Sequence, residues 1–491
     1  MKTHTILSPV PPTIAQTRIA QAQIAQTQTT IQPILEKPVR QLFVCITLGC
    51  WCLALASAQT ALKSSQRFKQ KNHQASHAAE TIKIGVSVVA SDPDDLPQLR
   101  SARMAVEEIN ASGGVLGKPL ELVTTYSATR NYDEIQPALK SLRNRGVSTV
   151  LVLGGSGLLL KAAEFTVKKG MLLFGSAASS PLISWLDDKN LVWRTIPSDI
   201  HQGTLAAEQL ETVKRRKGAI MHIDNAYGNE LAHAFREAFE RRGGRIVATV
   251  SFPDKPSYKG VDFTSRLKDL YARKPDIIYL VSYTEDGVEI LNQSKKGSFI
   301  GTVDKATGKK YLPQFLGCDG NYNGDFLLGA DPEVIEGMMG LAYIHPKDYP
   351  HYETFIEKFR NYTPPAPDSI ELANSSLASL LDAESTYSFA ATSYDAIYLI
   401  ALAMQKAGSS KPREVVKHLQ DVSTTGEGKE LCSVNEFAKA REALSAGKSV
   451  NYDGASGLIE FNSRGDVSTG TYIVWRVVQG KFTEIQTIGF P

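Results

Sequence analysis

Residues 81–88 place Ile82, Ile84, Val86 and Val88 on one face, with Lys83, Gly85 and Ser87 between them. That period of two predicts a strand. Ala102, Ala105, Val106 and Ile109 then recur at the spacing of one helix face, and Gly113-Gly114 ends the run. The switch between periods repeats along the chain. Strands are predicted at 119–125, 147–153 and 171–174, with a helix at 158–169 between the last two. Further strands are predicted at 218–223, 245–251, 276–282 and 314–316, and helices at 229–242, 263–274 and 284–296. Helices return at 392–407 and 412–420, and a strand follows at 471–477. Stretches such as VSTVLVL and DIIYLVS are apolar nearly throughout. Both faces of such strands must be covered, so the sheets are expected to be mostly parallel and helix-clad, an α/β fold. Two βα blocks lie at 81–197 and 198–344.

The N-terminus departs from this pattern. Residues 1–41 are expected to form a disordered extension, because 13–32 are polar and low in complexity with no core period. Lys37 and Arg40 then precede the apolar run Leu42–Leu55, and Ala56-Ser57-Ala58 follows it. That is the layout of a secretory signal peptide, placed at 42–58. The run is short for a membrane span, which needs about 20 residues. Residues 59–80 read as a tether. Thr47-Leu48-Gly49-Cys50 is a weak lipoprotein match, since the apolar run continues past Cys50, and a lipid-anchored form stays open. Cleavage after Ala58 removes Cys45, Cys50 and Cys52. Cys318 and Cys432 remain, and either pair or stay free.

Composition narrows the function. The 491 residues suggest two or three domains. A charged share of 21% and an apolar share of 42% are those of a soluble globular protein. A net charge of +3, from 54 basic and 51 acidic residues, argues against a nucleic-acid surface. Four-cysteine zinc is excluded by count, and the histidines lack ligand spacing. No metal or cofactor is expected. No local motif supports catalysis, so the chain is not expected to be an enzyme. Residues 154–157, GGSG, lack the Gly-Lys-Ser/Thr of a phosphate loop, and Leu158 stands where a nucleophile elbow needs glycine.

In open parallel sheets, ligands bind at the carboxyl ends of strands. Four places there could hold something. In GGSG, Ser156 either offers a hydroxyl beside close-approaching backbone or merely caps a helix. In FGSAASSP (174–181), Ser179 or Ser180 could cap a helix with Pro181 at its first position. A cap needs one hydroxyl, and here Ser176, Ser179 and Ser180 supply three. Uncharged donors at a helix start suit a carboxylate. In GCDG (317–320), Asp319 either receives an ammonium group or is a turn aspartate. Tyr227 and Tyr283 also follow strands, and either wall an apolar pocket or sit at its rim.

Several segments together carry a resemblance. They include IKIGV, ARMAVEEINASGGVLGKPLELV, FGSAASSP, WRTIPSDIHQG, HIDNAYGNELA, QFLGCDGN, SYDAIYLIALAMQKAG and NYDGASGLIEFNSRGDV. In order and spacing the chain from residue 81 onward resembles the type I periplasmic solute-binding proteins of the branched-chain amino-acid class, which serve ABC transporters. The resemblance implies two doubly wound parallel-sheet lobes joined by a three-crossover hinge. Lobe 1 would comprise 81–197 plus 345–467, and lobe 2 198–344 plus 468–491. It implies an exported, periplasmic, monomeric protein that closes on an amino acid or similar carboxylated solute and hands it to a membrane permease. A ligand-sensing module of the same fold is the alternative. By resemblance, the Ser156 hydroxyl, the Ala177 backbone and the Ser179 hydroxyl grip the carboxylate. Asp319, where the family usually has glutamate, takes the ammonium, and Tyr227 and Tyr283 line the second lobe. The loop Val88–Asp95 departs from the family's usual Ser-Gly-Pro and aromatic. Its acids point either to a cationic or longer ligand or to a solvated loop. Residues 301–312 read as an inserted hairpin and 368–387 as an added helix.

Overall fold

The computed structural model describes residues 80–490 apart from Pro93, 213–216, 304, 306, 307, 344–348 and 365–386. The expected extension and signal peptide, the tether as far as residue 79, and nearly all of the helix expected at 368–387 lie outside the described residues.

The first sheet contains β1 (Ile82–Val89), β2 (Leu120–Ser127), β3 (Thr149–Val152), β4 (Leu172–Gly175) and β5 (Val192–Arg194), in the order β2-β1-β3-β4-β5. Every pairing in it is parallel. The helices α1 (Asp95–Ala111), α2 (Tyr132–Asn144) and α3 (Ser156–Lys169) connect successive strands. The order reverses at β1, so the crevice of this sheet opens between the loops after β1 and β3. Those loops carry Ser91, Asp92 and Asp94, and Gly154-Gly155.

The second sheet repeats this plan. Its strands are β6 (Lys217–Asp224), β7 (Arg245–Pro253), β8 (Ile277–Val281), β9 (Gln314–Gly317) and β10 (Met339–Tyr343), pairing in parallel in the order β7-β6-β8-β9-β10. Here the reversal falls at β6, so the loops after β6 and β8 face the crevice. Helices α4 (Asp199–Thr212), α5 (Ala226–Arg241), α6 (Thr264–Tyr271) and α7 (Thr284–Lys296) accompany it. The short helices α8 (Gly324–Gly329) and α9 (Pro332–Ile335) follow β9, and α10 (Pro350–Asn361) follows β10.

The third part of the chain completes both lobes. Helix α11 (Tyr387–Ala407) is buried on nearly every side from Ala390 to Met404 and belongs to the core under the first sheet. A helix apolar all round must lie inside. Its one buried carboxylate, Asp395, accepts hydrogen bonds from Tyr452 Oη (2.6 Å) and the amides of Ala455 (2.8 Å) and Ser456 (2.7 Å). These fasten α11 to a small sheet of β11 (Glu430–Cys432), β12 (Val450–Gly454) and β13 (Gly457–Leu458). Between them lie α12 (Pro412–Val415), α13 (Leu419–Ser423) and α14 (Phe437–Ser445). The hairpin β14 (Gly470–Val478) and β15 (Lys481–Phe490) then adds to the second sheet, with β14 antiparallel to β10. The chain crosses between lobes after β5, after β10 and before β14, and Pro197 pairs in parallel with Val467 where two crossings meet.

Three local outcomes differ from or refine the sequence reading. The helix expected at 412–420 is two short helices. The amides of Lys417 and His418 reach back three residues, to Glu414 and Val415, and this tighter turn interrupts the α-helix. Helix α5 starts at Ala226 rather than at 229, because Asn225 Oδ1 accepts from the amides of Tyr227 (3.1 Å) and Gly228 (2.9 Å). In the insertion at 301–312, Val303 and Lys310 pair antiparallel, as a hairpin requires.

Candidate functional site

The two crevices face one another across a cleft of about 430 Å³. From the first lobe it is lined by the loop after β1, by Thr129 and Arg130, by Gly154 to Ser156, and by Ala177. The second lobe contributes Tyr227, 255–258, 283–286, Asp319, Gly320 and Asp325, and α11 adds Phe389. Five of the six residues singled out in the sequence therefore meet here. Ser179 does not line the cleft.

On the first lobe, α3 begins at Ser156 with Gly155 as its N-cap and no acid in its first turn. Its positive dipole end thus meets no acid within its own first turn, where Gly155 and Ser156 line the cleft. Ser156 Oγ accepts from the amide of Ser180 at 3.0 Å, which ties GGSG to FGSAASSP. Each extra hydroxyl of that second loop has a partner inside the protein. Ser176 Oγ donates to Gln98 Oε1 at 2.6 Å, and Ser180 Oγ accepts from the amide of Leu182 at 3.3 Å. Ser179 Oγ donates to Asp199 Oδ2 at 2.8 Å. Asp199 is fully buried, and a buried carboxylate needs donors more than the cleft needs this hydroxyl. Burial, with Asp319 nearby, still raises the Asp199 pKa well above the usual range. Ala177 is left at the cleft wall.

On the second lobe, the Asn225 cap fixes Tyr227 in the first turn of α5. Tyr227 Oη donates to Asp319 Oδ1 at 2.6 Å, and the Gly320 amide donates to the same oxygen at 3.0 Å. The Asp319 amide donates to Gln202 Oε1 at 3.1 Å. A Cβ on Gly320 would lie 2.4 Å from the Ser282 carbonyl, so only glycine permits this turn. Burial raises the Asp319 pKa, and the bonds from Tyr227, Gln202 and Gly320 oppose that rise. Tyr227 stacks on Tyr283 with centroids 5.4 Å apart.

The loop Val88–Asp95 is not simply solvated. The Val89 amide donates to Asp95 Oδ2 at 2.6 Å, and the Asp94 amide to Asp92 Oδ1 at 3.2 Å. Asp92, Asp94 and Asp95 all line the cleft, with Ser91 at its exposed edge. Burial, then Asp92, Asp319 and Asp325, push the Asp94 pKa well above the carboxylate range. Arg130, which sequence reasoning passed over, pairs with Asp92 (3.7 Å) and with Asp254 of the other lobe (3.5 Å). The rule that selected the other loops would have found it, since it follows β2. Gln202 lies inside α4 and carries no such signal.

Cys318 and Cys432 are free thiols in the cores of different lobes. Burial raises the Cys318 pKa far above its usual range and that of Cys432 to about 12. Among the described residues, no group of three or more His, Cys, Asp or Glu is placed to hold a metal ion, and no helix is long and apolar enough to cross a membrane.

Comparison with known proteins agrees with this architecture. A family model described as "Receptor family ligand binding region" matches residues 98–480. The Leu/Ile/Val-binding protein of Escherichia coli (strain K12) is 28% identical over 302 residues, covering 61% of this chain and 72% of that protein. A chemotactic signal transduction system substrate-binding protein, BasB of Halobacterium salinarum, is 23% identical over 414 residues, covering 81% and 87%. Among solved structures, the branched-chain amino acid transporter substrate-binding protein LivJ of Streptococcus pneumoniae, in complex with isoleucine, has a TM-score of 0.62 at 20% identity. It covers 84% of this chain and 100% of that one. With the family model spanning most of the described residues and two parallel sheets closing on one cleft, the chain belongs to the type I periplasmic binding proteins, in the branched-chain amino-acid binding family.

Proposed function

We propose that this protein is an exported, periplasmic and monomeric binding protein that captures an α-amino acid and delivers it to the membrane permease of an ABC transporter. The observation that carries this is the split of the cleft. An unopposed helix start beside Gly154-Gly155 lies on one lobe, and Asp319 lies on the other. The first is suited to a carboxylate and the second to an ammonium group. A ligand with both groups touches both lobes only in the closed form, and so shifts the population toward closure. Ser156 and Ala177 hold the carboxylate, and Ser179 supports them from behind through Asp199. Tyr227 orients Asp319, and Tyr227 and Tyr283 form the wall. The lobes are residues 81–197 with 345–467 and 198–344 with 468–491, and the protein performs no catalysis.

Calorimetry of the protein stripped of co-purifying solute, against a panel of α-amino acids, tests this. Binding of at least one is expected. A folded protein that responds to none overturns the reading. The likeness to a chemotactic substrate-binding protein over 81% of the chain favours a second reading, in which the closed form reports to a receptor. Affinity capture from membranes separates the two, by recovering either a permease with its ATPases or a signalling receptor.

A further inference from the structure

The acids of the cleft outnumber what an amino acid with an uncharged side chain can satisfy. Such a ligand offers one ammonium, and Asp319 answers it. Asp94 on the first lobe and Asp325 on the second line the same space. Asp94 lies close enough to both Asp319 and Asp325 to feel their charge. Asp286 is nine-tenths buried or more, at 1% exposure, and it also lines the cleft. Its Oδ2 accepts the Tyr283 amide at 3.2 Å, while Oδ1 has no hydrogen-bond partner. A buried carboxylate oxygen without a donor is costly, and in a binding cleft it marks a place for one.

The cations at the wall do not balance this charge. Arg130 lies against Asp92, Asp254 and the ring of Tyr283, and its charge also reaches Asp286, so one guanidinium is shared among three carboxylates. Lys255 is the other cation among the lining residues. Closing two lobes that each bring carboxylates to a shrinking space is opposed by their repulsion. A ligand carrying a second positive charge removes that opposition. Tyr227 and Phe389 at the wall suit the alkyl stem of such a side chain.

We propose that the ligand is an α-amino acid with a positively charged side chain, of the lysine, ornithine or arginine kind, whose distal cation is held among Asp94, Asp325 and Asp286. This rests on the amino-acid reading above and sharpens it. Titration calorimetry of the full chain against lysine, arginine, leucine, glutamate, 1,5-diaminopentane and calcium chloride tests both. Lysine or arginine is expected to bind at least tenfold tighter than leucine. The double variant D94N/D325N is expected to narrow that ratio at least tenfold, with its melting transition retained. If leucine binds as tightly as lysine and arginine, or the variant keeps the full ratio, the cationic specificity is overturned and the amino-acid reading stands. If no amino acid binds, or if the diamine matches lysine without a carboxylate, both are overturned. A response to calcium with none to any amino acid also overturns both.

Discussion

The guanidinium of Arg130 lies over the ring of Tyr283, 3.8 Å from its centroid, and the two residues belong to different lobes. Tyr132 adds to the contact by donating its hydroxyl to Asp254, which also accepts from Asn225 Nδ2 at 2.8 Å. Burial disfavours the guanidinium charge, but Tyr283, Asp92 and Asp254 outweigh it and raise the Arg130 pKa. A first-lobe cation is thus clasped by a second-lobe ring and carboxylate. Arg130→Ala removes a desolvated cation–π contact of about 2 kcal/mol together with its ion pairs, so the open form gains population. Ligand affinity should fall about tenfold or more. Small-angle scattering of the ligand-free variant should give a larger radius of gyration than the parent. Equal radius and equal affinity would show that this contact does not govern closure.

Asp319 is held in place by three groups before any ligand arrives. Asp319→Ala should cost about 2 kcal/mol or more of binding free energy if it pairs with a buried ammonium. Tyr227→Phe leaves the carboxylate but removes its 2.6 Å donor, so its loss should be the smaller of the two. Calorimetry with whichever amino acid binds gives both numbers. A larger effect for Tyr227→Phe would assign the direct contact to the phenol.

Gly155 stands where the lobes meet. A Cβ there would lie 3.0 Å from Tyr283 Oη. Gly155→Val should therefore prop the cleft open and weaken binding at least tenfold, with little change in melting temperature, because the clash exists only on closure. A contrasting change is Gly340→Ala in β10, whose new Cβ would lie 2.0 Å from the buried ring of Trp475. That overpacks the core of the second lobe and should cost about 1–3 kcal/mol of stability in denaturant unfolding. Should Gly155→Val melt early, or Gly340→Ala melt normally, the two roles are misassigned.

Burial raises the pKa of Asp286 to about 7 and that of Asp395 to about 6, from an ordinary value of 3.8. Between those limits the native state holds protons that the unfolded chain has released. The stability these groups lend is full below the unfolded value and is lost as pH rises through 6 and 7. Differential scanning calorimetry of the ligand-free protein should find a higher melting temperature at about pH 5.5 than at about pH 8. Asp286→Asn should flatten the upper part of that slope. A melting temperature that climbs from pH 5.5 to 8 refutes the assignment.

The architecture was legible because central strands such as β3 and β8 are apolar on both faces, the pattern of a helix-covered parallel sheet. The cleft loops were legible because such sheets place ligands at strand ends, and Ser156, Ala177, Tyr227, Tyr283 and Asp319 all reach the wall by that route. What stayed hidden depends on packing between distant segments. Nothing near Ser179 announces that Asp199 will be buried beside it. Nothing near Arg130 announces Tyr283, which arrives from the other lobe. Asn225 was a readable cap, and weighing it would have started α5 at its true first turn.

The threefold crossing of the chain also bears on how the protein is made. Helix α11 completes the core under β1 to β5, yet it is synthesised only from residue 387 onward. The second sheet lacks its two final strands until residues 470–490 emerge. Neither lobe is therefore a finished folding unit until most of the chain has left the ribosome. On the export proposed above, this delay would leave the early segments without their completed core while the chain is threaded, and would defer compaction to the far side.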